Sequence, residues 1–254
     1  MRTRTHPSAQ GLTDAGIAFE SFDELYERCR SYDTLVKAIV RELRRMGKTE
    51  NVCYCVDGSP AEDRAAQALM KYRSTVVIGG VSKAAAAAEK AGLGDYLALS
   101  AYDVAGAKLS LPIVVYDLAE PSLAGDVKLA LADAFGDEAP AYFVRGGKVK
   151  KIELFEADRQ WDYDATCALA VPDIPLLEKK RFDLNDFLAI LRRLRAPDGC
   201  PWDRVQTHQS IRINAIEEAY ELVDAIDADD PAKMCEEAGD VIMQAAFHTL
   251  IEEE

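Results

Sequence analysis

The chain is poor in the residues that build zinc sites. It has three histidines in 254 residues, and its six cysteines, at 29, 53, 55, 167, 200 and 235, include no C-x-x-C pair. That argues against a structural zinc centre and points to free, mostly buried thiols in a reducing cytoplasm. Cys53 and Cys55, alternating around Tyr54, read as core positions of a strand. Long hydrophobic runs are missing too. No stretch approaches the eighteen apolar residues of a membrane span, and no basic-then-apolar leader opens the chain. A cytoplasmic protein without membrane contact is the expectation. Positive charge is also short: 30 Lys and Arg against 44 Asp and Glu leave a net charge of −14 at pH 7. Such a chain lacks the clustered cations that a nucleic-acid polymer requires. It can still bind small anions where a metal inverts the local field.

What is present is material for two domains. "VCYCV" (52–56), "TVVIGG" (75–80) and "LPIVVYDLA" (111–119) are short apolar, β-branched runs that read as strands. Between them lie the helical stretches "AEDRAAQALMKY" and "SKAAAAAEKAG", the second closed by Gly92. This alternation predicts an α/β domain with a largely parallel sheet. "AYFVRGGKVKKIELF" (141–155) predicts a hairpin turning at Gly146-Gly147, which adds antiparallel strands and makes the sheet mixed.

Beyond a Pro-containing linker at 173–181 the strand pattern ends. "NDFLAILRRLRA" repeats Phe187, Ile190, Leu191 and Leu194 at helical spacing until Pro197-Asp198-Gly199. Thr207 is placed to cap a long helix from His208 to Asp227, and Asp230-Pro231 to start another. About 70 helical residues bury little core alone, so a homodimer through 208–254 is expected, covering Phe247 and Leu250.

The acids of these last helices are patterned. Glu217, Glu221 and Asp224 fall on one stripe with Glu218 at its edge, and Ile216, Tyr220, Val223 and Ile226 form the face meant for a core. Glu237, Asp240, Gln244 and His248 share a stripe on a helix that is apolar nearly all round. Acids three apart can be mere solvated surface in a chain with 44 of them. Two such pairs on antiparallel helices can instead form a four-carboxylate cage for a cation. Oxygen donors alone favour Mg²⁺ or Mn²⁺ over zinc. His248 reads as a satisfied core or interface histidine.

"RAPDGCPWDRVQTHQSIR", "IEEAYELVDAI" and "EEAGDVIMQAAFH" closely resemble MazG-type nucleoside triphosphate pyrophosphohydrolases. That family's E-E-x-x-E and E-x-x-D appear as Glu217-Glu218-x-x-Glu221 and Glu237-x-x-Asp240. The resemblance implies that Glu218, Glu221, Glu237 and Asp240 hold Mg²⁺. It implies too that nucleoside triphosphates are cut to monophosphate and pyrophosphate, with Glu217 deprotonating or orienting the attacking water or supporting the ligands. Trp202 either stacks on a nucleobase or pins its loop to the core. Arg212 either contacts phosphate or neutralises Glu217, and Cys200 reads as structural.

Upstream, "RTHPSAQGL", "FESFDELYE", "VDGSPAEDRAAQAL", "VIGGVSKAAAAAEKAGL" and "YDLAEPSLAGDVKLAL" resemble the tetrapyrrole (corrin/porphyrin) methylase fold, as joined in methylase–MazG fusion proteins. The organisation implied is a methylase-like α/β domain over 1–172, the linker, and an all-α MazG-type domain over 182–254. Against the two families, the first domain is expected to be incomplete at its N-terminus and the second at its C-terminus. The methylase pattern expects a glycine-rich cofactor loop before "RTHP" and reads P-G-x-P where Asp57-Gly58-Ser59-Pro60 stands. S-adenosylmethionine is therefore not expected to bind. The rival readings are a tetrapyrrole methyltransferase and an inactive dimerisation or nucleotide-binding remnant.

Overall fold

The structure, a computed structural model, describes residues 3, 4 and 7–254. Thr5 and His6, in the R-T-H-P stretch, lie outside the described residues. The chain separates into two compact units, 1–181 and 182–254. The expected class holds: a mixed sheet with helices, then a helical unit.

The first unit opens with helices α1 (Pro7–Asp14), α2 (Asp23–Arg28) and α3 (Tyr32–Met46). Helix α4 (Arg64–Met70) follows, N-capped by Asp63, then α5 (Lys83–Ala91), N-capped by Ser82. Gly92 ends α5 at φ 70°, the left-handed conformation that glycine adopts at least cost. Strands β1 (Leu97–Ser100) and β2 (Ile113–Tyr116) precede helix α6 (Pro121–Phe135), and β3 (Pro140–Arg145), β4 (Lys148–Glu153) and β5 (Ala168–Val171) complete the sheet. The strand order is β1-β2-β5-β3-β4.

Side-chain alternation builds the core. Ile113, Val115, Leu169 and Val171 pack with Val127 and Leu131 of α6, while Val114, Ala168 and Ala170 meet Ala84, Ala87 and Ala88 of α5. The central strands β2 and β5 are buried on both faces, while the edge strand β4 is largely exposed. The β3–β4 hairpin turns at Gly146 and Gly147, both at positive φ as a two-residue hairpin loop demands.

Three expectations need correction here. Only β1 and β2 pair in parallel, so the sheet is mixed but mostly antiparallel. Runs 52–56 and 75–80 form no strand. Both lack a neighbouring ladder, and Val76 and Ile78 are left 89% and 81% exposed. Val52 and Tyr54 pack instead against a separate cluster around Leu35, Ile39 and Leu43 of α3, with Ala65 of α4. The opposite side of that run is consequently open, so Cys53 is exposed and Cys55 only half-buried; of the six thiols Cys167 alone is buried. Gly80 lies against the backbone of Gly58, whose carbonyl oxygen a Cβ would meet at 2.1 Å, so only glycine fits.

The second unit comprises α7 (Leu184–Arg195), α8 (His208–Ile211), α9 (Asn214–Asp227) and α10 (Pro231–Glu252). Asp183 caps α7 and Thr207 caps α8, each through a capping box. The long helix expected over 208–227 is broken at Arg212-Ile213. Phe247 and Leu250 are buried within the unit against Leu191 and Ile211, so they are not available to a partner. The α9 face expected to be core is the exposed one: Ile216, Tyr220, Val223 and Ile226 point away from the unit, Tyr220 at 69% exposure.

Arg195 is buried and forks onto Glu254 at 2.6 and 2.7 Å, while its other amino group reaches the carbonyls of Asp203 and Gln206. Arg192 pairs with Glu253 at 3.1 Å. No helix among the described residues is long and apolar enough to cross a membrane.

Candidate active site

A tight turn makes the site. Asp229 takes φ 51°, the Asp230 amide donates to Ala225, and Asp230 then accepts from the amides of Ala232 and Lys233 to start α10 with Pro231 in its first turn. Proline is tolerated there because that amide has no partner in a helix. The turn lays α9 and α10 side by side in opposite directions, so their acids face one another.

Glu218 of α9 and Glu237 and Asp240 of α10 bring one carboxylate oxygen each to within 4.8 Å of one another. Opposite oxygens in a magnesium octahedron lie about 4.2 Å apart, so the three fit one divalent ion with a small contraction. Glu237 is only 4% exposed, and Glu218 and Asp240 are half-buried.

Burial, then the charges of Asp240, Glu221 and Glu217, pushes the Glu218 carboxyl above its ordinary range, while a hydrogen bond from Gln244 pulls it back. Burial, then the charge of Glu221, raises Glu237; Lys233, 3.8 Å away, acts in the opposite sense. Acids held this close resist ionising together, which is the chemistry of a donor set made for a cation. Oxygen donors without thiol or imidazole suit Mg²⁺ or Mn²⁺.

The other expected residues are placed less centrally. Glu221 is exposed and its oxygens lie outside the group of three, though its charge is felt by Glu237. Glu217 is exposed in the first turn of α9, where a negative charge suits the helix dipole. Arg212 is exposed in the break between α8 and α9. Trp202 is 59% exposed and contributes its carbonyl to Gln206, so it does not pin the loop by burial. Cys200 is half-buried.

Two features escaped the sequence reading. Gln244 shares the α10 stripe with Asp240, but its hydrogen bond to Glu218 depends on how the helices pack. The second is a contact between His208 and His248, whose Nδ1 atoms lie 2.7 Å apart, with Glu252 at 2.8 Å from Nε2 of His208.

Residues 206–254 match the MazG nucleotide pyrophosphohydrolase domain. The whole chain is similar to the uncharacterized protein YabN of Bacillus subtilis (strain 168), 30% identical over 275 aligned positions that take in all of this chain and 55% of that protein. It is 48% identical over 70 residues to the nucleoside triphosphate pyrophosphohydrolase/pyrophosphatase MazG of Thermotoga maritima, 28% of either chain. Against the Escherichia coli (strain K12) nucleoside triphosphate pyrophosphohydrolase it is 39% identical over 72 residues, 28% of this chain and 27% of that one. The chain thus spans about half of YabN, at 55%, and about a quarter of these two enzymes, at 28% and 27%. Its C-terminal end carries a MazG domain.

Proposed function

We propose that the helical unit hydrolyses nucleoside triphosphates to nucleoside monophosphate and pyrophosphate, with Mg²⁺ or Mn²⁺ held by Glu218, Glu237 and Asp240 and by Glu221 once its side chain swings in. The carrying observation is the three carboxylate oxygens within 4.8 Å, one of them on a buried glutamate. The MazG match and the pyrophosphohydrolases among the relatives support nucleotide pyrophosphohydrolase activity.

A divalent cation there would neutralise phosphate oxygens and polarise them toward attack. The protein's own part is positioning. Glu217, exposed beside Glu218, takes the proton of the attacking water. The water oxygen bonds to phosphorus, the bridging P–O bond between the α- and β-phosphates breaks, and pyrophosphate leaves with that bridging oxygen. Arg212 receives phosphate oxygens, and Trp202 offers an open ring face for a nucleobase.

The test is product analysis on a nucleotide panel with Mg²⁺ and with EDTA. Pyrophosphate in the first and no turnover in the second is the expected result; orthophosphate, or a rate indifferent to EDTA, sinks the reading.

The same reading makes the protein a cytoplasmic homodimer. Ile213, Ile216, Tyr220, Val223 and Ile226 of α9, with Ile242 of α10, form an exposed apolar stripe of the kind a second copy covers. The α/β unit is read as methylase-like from its sequence resemblance. It is expected to give no heat on titration with S-adenosylmethionine, and saturable binding would promote the methyltransferase reading.

A further inference from the structure

His208 and His248 are 40 residues apart in sequence, yet their Nδ1 atoms are separated by 2.7 Å. Their ring planes differ by 2° and their centroids are 5.0 Å apart. So short a contact at that centroid distance puts the rings nearly coplanar, edge to edge, which is the geometry of a hydrogen bond between ring nitrogens and not of a stack. Glu252 accepts at the other nitrogen of His208, 2.8 Å away. The network assigns the protons. His208 donates Nε2–H to the carboxylate, which leaves its Nδ1 as acceptor, and His248 must supply Nδ1–H.

The location matters more than the bond. Glu218 is ten residues from Ala228 and Asp240 is ten from Asp230, so the acids stand about 15 Å of helix from the turn joining α9 to α10. At the far end α9 is joined to α8 only through the break at Arg212-Ile213, which contains no glycine or proline. His208 ties α8 to α10 beyond that break. Resting on the metal reading of Glu218, Glu237 and Asp240, we propose that the His208–His248 bond, fixed by Glu252, is a strut that holds the two acid-bearing helices at the spacing a cation requires. His208 and His248 are then positioning residues for the metal site, not ligands.

The experiment is Mn²⁺ binding to the full chain, read from the free-ion electron paramagnetic resonance signal. His248→Ala is expected to raise the dissociation constant at least tenfold at pH 7.5. His248→Asn is expected to stay within about threefold of the unaltered chain, since an amide can present N–H or, by flipping, C=O to His208. If His248→Ala binds Mn²⁺ as tightly as the unaltered chain, the strut is overturned while the metal reading stands. If His248→Ala does not fold, His208→Ala, which removes the same bond from the α8 side, is read in its place, and Mn²⁺ binding as tight as that of the unaltered chain overturns the strut. An unaltered chain that binds no Mn²⁺ removes the metal reading itself, and the strut with it.

Discussion

Lys233 places its ammonium 3.8 Å from Oε1 of Glu237, one turn further along α10, and so supplies the nearest countercharge to the most buried acid of the site. The lysine is half-exposed, so the pair is screened and modest in strength. It nevertheless shows what the site wants in the absence of a cation. Replacing Lys233 with Met is expected to lower the melting temperature by about 1–3 °C in EDTA, and by less with saturating Mg²⁺, which takes over the neutralising role. Equal losses in both conditions would separate Lys233 from the metal's electrostatics.

Glu237 gives a prediction of opposite sign. Its carboxyl is raised in the folded protein, so the fold holds that proton more tightly than the unfolded chain does. Such an acid favours the fold most below its ordinary pKa, and the advantage is lost as pH rises through the raised value. A side chain that never ionises escapes the loss. Glu237→Gln is therefore expected to melt about 2–4 °C higher than the unaltered protein at pH 8 in EDTA, while losing metal binding. Scanning calorimetry at pH 5 and pH 8 checks the sign: the gain belongs to the higher pH.

Activity should follow the ligand set. Asp240→Asn keeps the shape of the group and removes one ligand charge, so the rate of pyrophosphate release is expected to fall at least 100-fold. Glu221→Gln is expected to match it, because the proposed ligand set calls for that side chain to swing inward. A loss below about fivefold at Glu221 would confine the site to Glu218, Glu237 and Asp240.

The apolar stripe of α9 is testable by charge. Tyr220→Asp, at a position 69% exposed, is harmless to a monomer but puts a carboxylate in the middle of the proposed dimer contact. Light scattering at micromolar concentration is expected to give a dimer for the unaltered chain and a monomer for the variant. A monomer in both cases removes the homodimer from the proposal.

Some of this architecture is legible in sequence because its signals are local. The Gly146-Gly147 turn, the Gly92 cap and the Asp230-Pro231 start depend on residues adjacent in the chain. The two acid pairs are likewise set by helical spacing. What sequence does not carry is the neighbour. Runs 52–56 and 75–80 have the side chains of strands but no ladder partner, whereas "LALS" and "ALAV", with one β-branched residue between them, became β1 and β5 because β2 and β3 lay beside them. The break at Arg212-Ile213 has no glycine or proline to announce it. Which acids meet depends on how α9 is rotated against α10. That rotation brings Glu218 inward, leaves Glu221 outside, and turns the Tyr220 stripe away from the unit.

Helix ends normally unravel first, since their last carbonyls have no partners. The end of α10 is built otherwise. Glu252, Glu253 and Glu254 each engage a different hydrogen-bond donor on an earlier segment: His208, Arg192 and Arg195. These three successive side chains act as a clasp, with the first helix of the unit gripping the last turn. The unit is thereby closed into a ring, and the acids sit in the span between clasp and turn. Opening that span from the tail means releasing three ties, one of them on a buried guanidinium. In amide exchange, the last turns of α10 are expected to be among the slower parts of the unit, a reversal of the usual gradient from the middle of a helix to its tip.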